Sequence, residues 1–143
     1  MGLDCHWVKP KEIKSKPLDF DPPLCFEDEH DLEERRDGWA FFTGARGFER
    51  AIEEITGFSL RISTTWSYRL FRWRSYYRWS SCLTSRTVLK IAERLERYAA
   101  KPWPLPPSQD RRGHHYWDAE VYRDIARMFR AYGEAGYNLC GDW

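Results

Sequence analysis

Two amphipathic stretches separated by a run of prolines constrain this chain more than any other feature. From residue 85 to about Ala100, Val88, Leu89, Ile91, Ala92, Leu95, Tyr98 and Ala99 recur at helical spacing. Thr84 or Ser85 can cap that helix, and Glu93 stands four residues before Arg97, a favourable surface pair. From Tyr116 to Ala135 the same period returns in Val121, Tyr122, Ile125, Ala126, Phe129 and Tyr132, with Gly133 or Gly136 to close it. Pro102-Trp-Pro-Leu-Pro-Pro107 cannot continue a helix, so the two helices are separate bodies joined by a stiff loop.

A third, shorter helix is expected over 47–56. There Phe48, Ala51, Ile52 and Ile55 share a face, and Gly57 stands where a C-terminal cap belongs. Strands are expected near both ends of the chain. Leu3, Cys5 and Trp7 alternate with Asp4, His6 and Val8, and Tyr137 to Asp142 reads as a closing strand. Segments 38–43 and 58–68 supply one or two more. Residues 17–26 hold Pro17, Pro22 and Pro23 and read as extended loop.

The fold class is therefore α+β: a small, mainly antiparallel sheet including both terminal strands, with about three helices packed on it, in a single domain of residues 1–143. Leu3, Trp7, Ile52, Ile55, Leu89, Leu95, Ile125 and Phe129 are the expected core. Valine is scarce, while Trp, Tyr and Phe number eight each, so rings must fill much of the interior.

The chemistry concentrates in residues 66–79. Trp66, Tyr68, Phe71, Trp73, Tyr76, Tyr77 and Trp79 alternate with Arg69, Arg72, Arg74 and Arg78, and no acid occurs between Glu54 and Glu93. Guanidinium groups among flat rings suit stacking on bases and pairing with phosphates. Binding is assigned to Arg69, Arg72, Arg74, Arg78, Trp66, Trp73 and Tyr76, with nucleic acid or an acidic protein surface as partner. The plainer reading makes the rings core and lets the arginines snorkel from it, so that function lies elsewhere. The pattern fits a strand bulged near Leu70 or a helix, and residues 69–80 stay undecided between them.

Net charge is +1, which excludes a strong overall attraction to polyanions. The halves differ: residues 1–57 hold 14 acids and 8 bases, and residues 58–143 hold 8 acids and 15 bases. Seven of the acids cluster between Glu27 and Asp37. They read as a solvated face, because the glycine that a calcium loop requires is missing. Thr43-Gly-Ala-Arg-Gly47 reads as a turn and matches no phosphate-binding pattern.

Cys5, Cys25, Cys82 and Cys140 form no Cys-x-x-Cys pair, no secretory signal opens the chain and no apolar run approaches a membrane span. Four reduced thiols in a cytoplasmic protein are expected. An alternative function, a small enzyme or metal site, would draw on Cys5, His6, His114, His115 and Cys140, which meet if the terminal strands pair and the His114-His115 loop closes over them. Cys5 and His6 themselves cannot form a catalytic dyad, because adjacent strand residues point to opposite faces. No cofactor is implied.

Four segments carry a resemblance: the opening Met1-Gly2-Leu3-Asp4, Arg46-Gly47, the helix end Glu53-Glu54-Ile55-Thr56-Gly57 with Ser59-Leu60, and the ending Phe129-Arg130, Gly136, Leu139 and Trp143. Together they resemble a loosely defined group of small bacterial and phage proteins beginning Met-Gly-x-Asp. That group has no assigned activity, so the resemblance implies no catalytic residues. The arginine-aromatic stretch is not one of its features.

Overall fold

A computed structural model describes residues 4–10, 16–27, 29, 33, 39–42, 48–60, 81–101 and 119–142. The elements bounded among them are β1 (Asp4–Val8), β2 (Trp39–Phe42), α1 (Phe48–Thr56), β3 (Ser81–Leu83), α2 (Ser85–Ala99), α3 (Ala119–Glu134) and β4 (Asn138–Asp142). The strands pair in the order β2-β1-β4-β3, antiparallel throughout. The two terminal strands are neighbours, as the sequence predicts, and form the central pair, with Trp7 opposite Leu139 and His6 opposite Cys140. A register shift between Cys5 and His6 marks a bulge against β2. The fold is thus α+β, with a small antiparallel sheet and, among the described residues, three helices.

Alternation sorts the sheet residues by face. Cys5, Trp7, Leu83 and Leu139 join the main core with Val88, Ile91, Leu95, Tyr122, Ile125, Met128, Phe129 and Tyr132. Val8, Cys82 and Cys140 form a second buried cluster. Tyr132 is the hub of the main core. Its ring lies parallel to Trp7 at 4.5 Å, while Trp7 meets Phe129 edge-on at 5.3 Å. Such ring pairs add to plain area burial, which is how a valine-poor chain builds its interior.

Helix ends explain how the layers connect. Gly136 has φ 81°, open to glycine at little cost, and its N–H donates to the carbonyl of Gly133. Tyr137 N–H donates to Tyr132 O, and the two rings meet edge-on at 5.1 Å. This Schellman cap, with its ring contact, turns the chain from α3 directly into β4. Gly57 (φ 73°) ends α1 similarly, with its N–H on Glu53 O. Thr84 is the N-cap of α2, its hydroxyl accepting from Thr87 N–H. Ser85 N–H donates to the buried Asn138 side chain at 2.9 Å, which ties the start of α2 to β4.

The proline-bearing loop at 16–27 is held against α3. Leu18 N–H donates to the Tyr132 hydroxyl, Tyr137 OH donates to Lys16 O, and Cys25 N–H donates to Asp124 Oδ2. Arg127 Nη2 reaches the carbonyls of Pro22 and Pro23, and Leu24 is buried.

Some expectations need correction. Residues 58–68 read in sequence as strand or irregular extended chain; 58–60 are irregular rather than strand, and 61–68 lie outside the described residues. Gly57 turns the chain there, so Leu60 enters the main core instead of a strand. The edge position goes to Ser81–Leu83, which is too short to show alternation in sequence. Ile55 and Leu89 are half-buried because they flank their helices' buried stripes, whereas Trp7, Ile52, Leu95, Ile125 and Phe129 are buried as expected. Leu3 lies outside the described residues.

Candidate functional site

Trp66, Arg69, Arg72, Trp73, Arg74, Tyr76 and Arg78 all lie within 61–80, outside the described residues. The structure does define how this segment joins the body. It leaves from Leu60, buried in the main core, and returns into β3, whose central residue Cys82 is buried against β4. The carbonyl of Thr56, just upstream, accepts from Arg94 Nη1, and the Arg94 guanidinium lies 4.7 Å from the Phe58 ring centroid. Both ends are therefore fixed by packing and hydrogen bonds.

The cysteines depart from expectation. Cys82 and Cys140 stand directly opposite in the β3–β4 register with a Cα–Cα distance of 4.0 Å, and their sulfurs are bonded. Facing residues on neighbouring antiparallel strands stand about 4.5–5.5 Å apart, so the sheet register itself brings the two cysteines within bridging reach. Sequence separation hid the pair, because only the sheet order brings residue 82 beside residue 140. Four reduced thiols, the basis for a cytoplasmic location, are thus corrected to a disulfide plus the buried Cys5 and exposed Cys25 thiols.

The disulfide also takes Cys140 out of the suggested ligand set. Cys5 faces the helices while His6 aligns with Cys140 on the other face, so the alternation that rules out a Cys5-His6 dyad also separates them as ligands. His114 and His115 lie outside the described residues. Among the described residues no group of three or more His, Cys, Asp or Glu side chains is placed to hold a metal ion. Of the acidic cluster, Glu29 and Glu33 are exposed and Glu27 is half-buried.

Among the described residues the clearest charged surface lies on α2, and sequence reasoning passed over it. The helix buries Val88, Ile91, Ala92, Leu95 and Ala99. Its exposed residues are segregated by sign. Arg86, Lys90, Arg94 and Arg97 are exposed, as is Lys101 beyond the Ala100 C-cap. The acids sit to one flank. Glu96 reaches across to α3, where Arg130 holds it through two parallel bonds, Nε to Oε1 at 3.0 Å and Nη2 to Oε2 at 2.6 Å. Hydrogen bonding to Glu96 raises the Arg130 guanidinium above its ordinary pKa; burial opposes this, and the charges of Glu96, Glu134 and Glu93 add to it. Glu93 pairs with Arg97 one turn on, both well exposed. Lys101 lies 5.4 Å from the Tyr98 ring centroid. The overlooked signal was bases recurring every three or four residues opposite the apolar stripe.

No protein-family model, curated protein or solved structure matches the chain. Among the described residues no helix is long and apolar enough to cross a membrane.

Proposed function

We propose that the protein is a non-enzymatic binding protein that uses residues 66–79 to hold nucleic acid or an acidic partner. The observation that carries this reading is the distribution of charge. Residues 61–80 contain five arginines and no acid, whereas the rest of the chain has 18 bases against 22 acids. The near-neutral total is thus a strongly basic, ring-rich segment set into an acidic remainder. Arg69, Arg72, Arg74 and Arg78 supply the charge, and Trp66, Trp73 and Tyr76 the stacking surfaces. Fixed flanks at Leu60 and Cys82 favour the reading, since a segment anchored at both ends loses less conformational freedom on binding. Three of the five acids on α2 and α3 also support it: Glu93, Glu96 and Asp124 have bases of α2 or α3 as partners. The Met-Gly-x-Asp resemblance stays part of the proposal and adds no activity to it. A cytoplasmic location stays part of the proposal, and the Cys82–Cys140 disulfide counts against it, because cytosolic thiol pools keep cysteines reduced.

The test is a pair of substitutions, Arg72→Gln and Arg74→Gln, read by fluorescence anisotropy against single-stranded and duplex oligonucleotides and an acidic peptide across a salt series. Weaker binding with an unchanged melting temperature is expected. Unchanged affinity for all three ligands, or loss of the fold, would make 66–79 a structural clamp.

A further inference from the structure

The outer face of α2 carries a basic stripe. Arg86, Lys90, Arg94, Arg97 and Lys101 follow one another at steps of four, four, three and four residues. At 3.6 residues per turn the four bases within the helix, Arg86 to Arg97, fall within a sector of about 80°, centred roughly opposite the buried stripe, and Lys101 follows just past the Ala100 C-cap. At 1.5 Å per residue those four span about 16 Å, with neighbours about 4.5–6 Å apart along the axis. All five are exposed. Glu93, paired with Arg97, is the acid beside them on α2, and Glu96 is turned away to Arg130.

Helix stability does not account for this pattern. Arg86–Lys90 and Lys90–Arg94 are like-charge pairs at i,i+4, which disfavour a helix where mixed signs would favour it. A partner of opposite charge relieves that repulsion. A protein partner fits less well, because protein interfaces, although they enrich arginine, are depleted in lysine and centre on apolar or aromatic anchors. The rings beside the stripe, Phe58 by Arg94 and Tyr98 by Lys101, are half-buried, and the exposed non-basic positions of this stretch are Glu93, Glu96 and Ala100. A row of exposed cations with no exposed ring among them suits contacts to phosphates, which position a nucleic acid without reading its sequence.

We infer that the α2 stripe seats the phosphodiester backbone of a nucleic acid, as a second surface beside residues 66–79. It rests on the reading above only in taking nucleic acid as the partner, and it uses different residues.

The test is the triple variant Arg86→Gln, Lys90→Gln, Lys101→Gln. It spares Arg94 and Arg97, which hold Thr56 O and Glu93. Binding of the full chain to a single-stranded and a duplex oligonucleotide is measured against salt, beside wild type, the Arg72/Arg74 variant and poly-glutamate. Three lost phosphate contacts should lower the slope of log K against log salt by about 2 for a single strand and by two to three for a duplex. The ligand with the larger drop is the preferred form. A wild-type slope in the triple variant overturns the inference, and so does poly-glutamate binding as tightly as the oligonucleotides. If the triple variant loses slope while the Arg72/Arg74 variant binds normally, the stripe stands and the 66–79 reading fails. The reverse result retires the stripe alone. Absence of oligonucleotide binding by wild type at low salt removes both.

Discussion

Breaking the Cys82–Cys140 bond tests the tertiary structure most directly. The bond joins residues 58 apart in sequence and closes a loop containing all of α2 and α3. In the chain-entropy account, closing a loop of that length removes about 14 cal/mol/K from the unfolded state, worth about 4 kcal/mol at 25 °C. Domain stabilities are about 5–15 kcal/mol, so the loss is a large share of the total. Both cysteines are buried, and alanine at each site keeps an apolar surface where serine would bury a hydroxyl. The double variant Cys82→Ala, Cys140→Ala is therefore the cleaner perturbation, with reduced wild type as its companion. Urea melts should show a midpoint well below that of the oxidised protein. The m-value should rise, because the unfolded chain is no longer held in a loop. Mass analysis before and after alkylation would establish which wild-type cysteines are bonded. Coincident melts for oxidised, reduced and double-variant protein would refute the reasoning, as would alkylation of all four cysteines without reductant.

Gly133→Ala should destabilise the protein even though alanine is the better helix former. An added Cβ would stand 2.8 Å from Leu89 Cγ and Cδ2, and overpacking of about 1–3 kcal/mol outweighs a propensity gain of about 1 kcal/mol; a raised melting temperature would contradict this. Asn138→Ala should cost about 1–3 kcal/mol in denaturant melts, because it removes the acceptor for Ser85 N–H at the start of α2. A change within error there would mean that the cap on α2 depends on Thr84 alone.

The helices were readable from residue order because each is a local object. Whether Val88, Ile91 and Leu95 share a face depends only on the 3.6-residue period, and Thr84, Gly57 and Gly136 terminate helices through the backbone within a few residues of themselves. The terminal strands were equally plain, because Cys5 and Trp7 alternate with His6 and Val8. Their pairing followed from both being half-apolar strands in need of one sheet. The candidate binding residues at 66–79 were visible as composition, since the absence of acids from Ile55 to Ala92 needs no structure to notice.

What the tertiary structure alone decided is which distant residues became neighbours. The β2-β1-β4-β3 order set Cys82 against Cys140 and turned two presumed thiols into a bond. Packing of α2 on α3 drew Glu96 to Arg130 and left the bases of α2 as an outer stripe with Glu93 as the acid beside it. The turn after Gly57 sent Leu60 into the helical core, where the alternation of Phe58, Leu60 and Ile62 had pointed to a strand. Each of these depends on contacts between segments far apart in the chain. Periodicity determines which face of an element is apolar, but the partner that covers that face is chosen by the burial and hydrogen bonding of the whole fold.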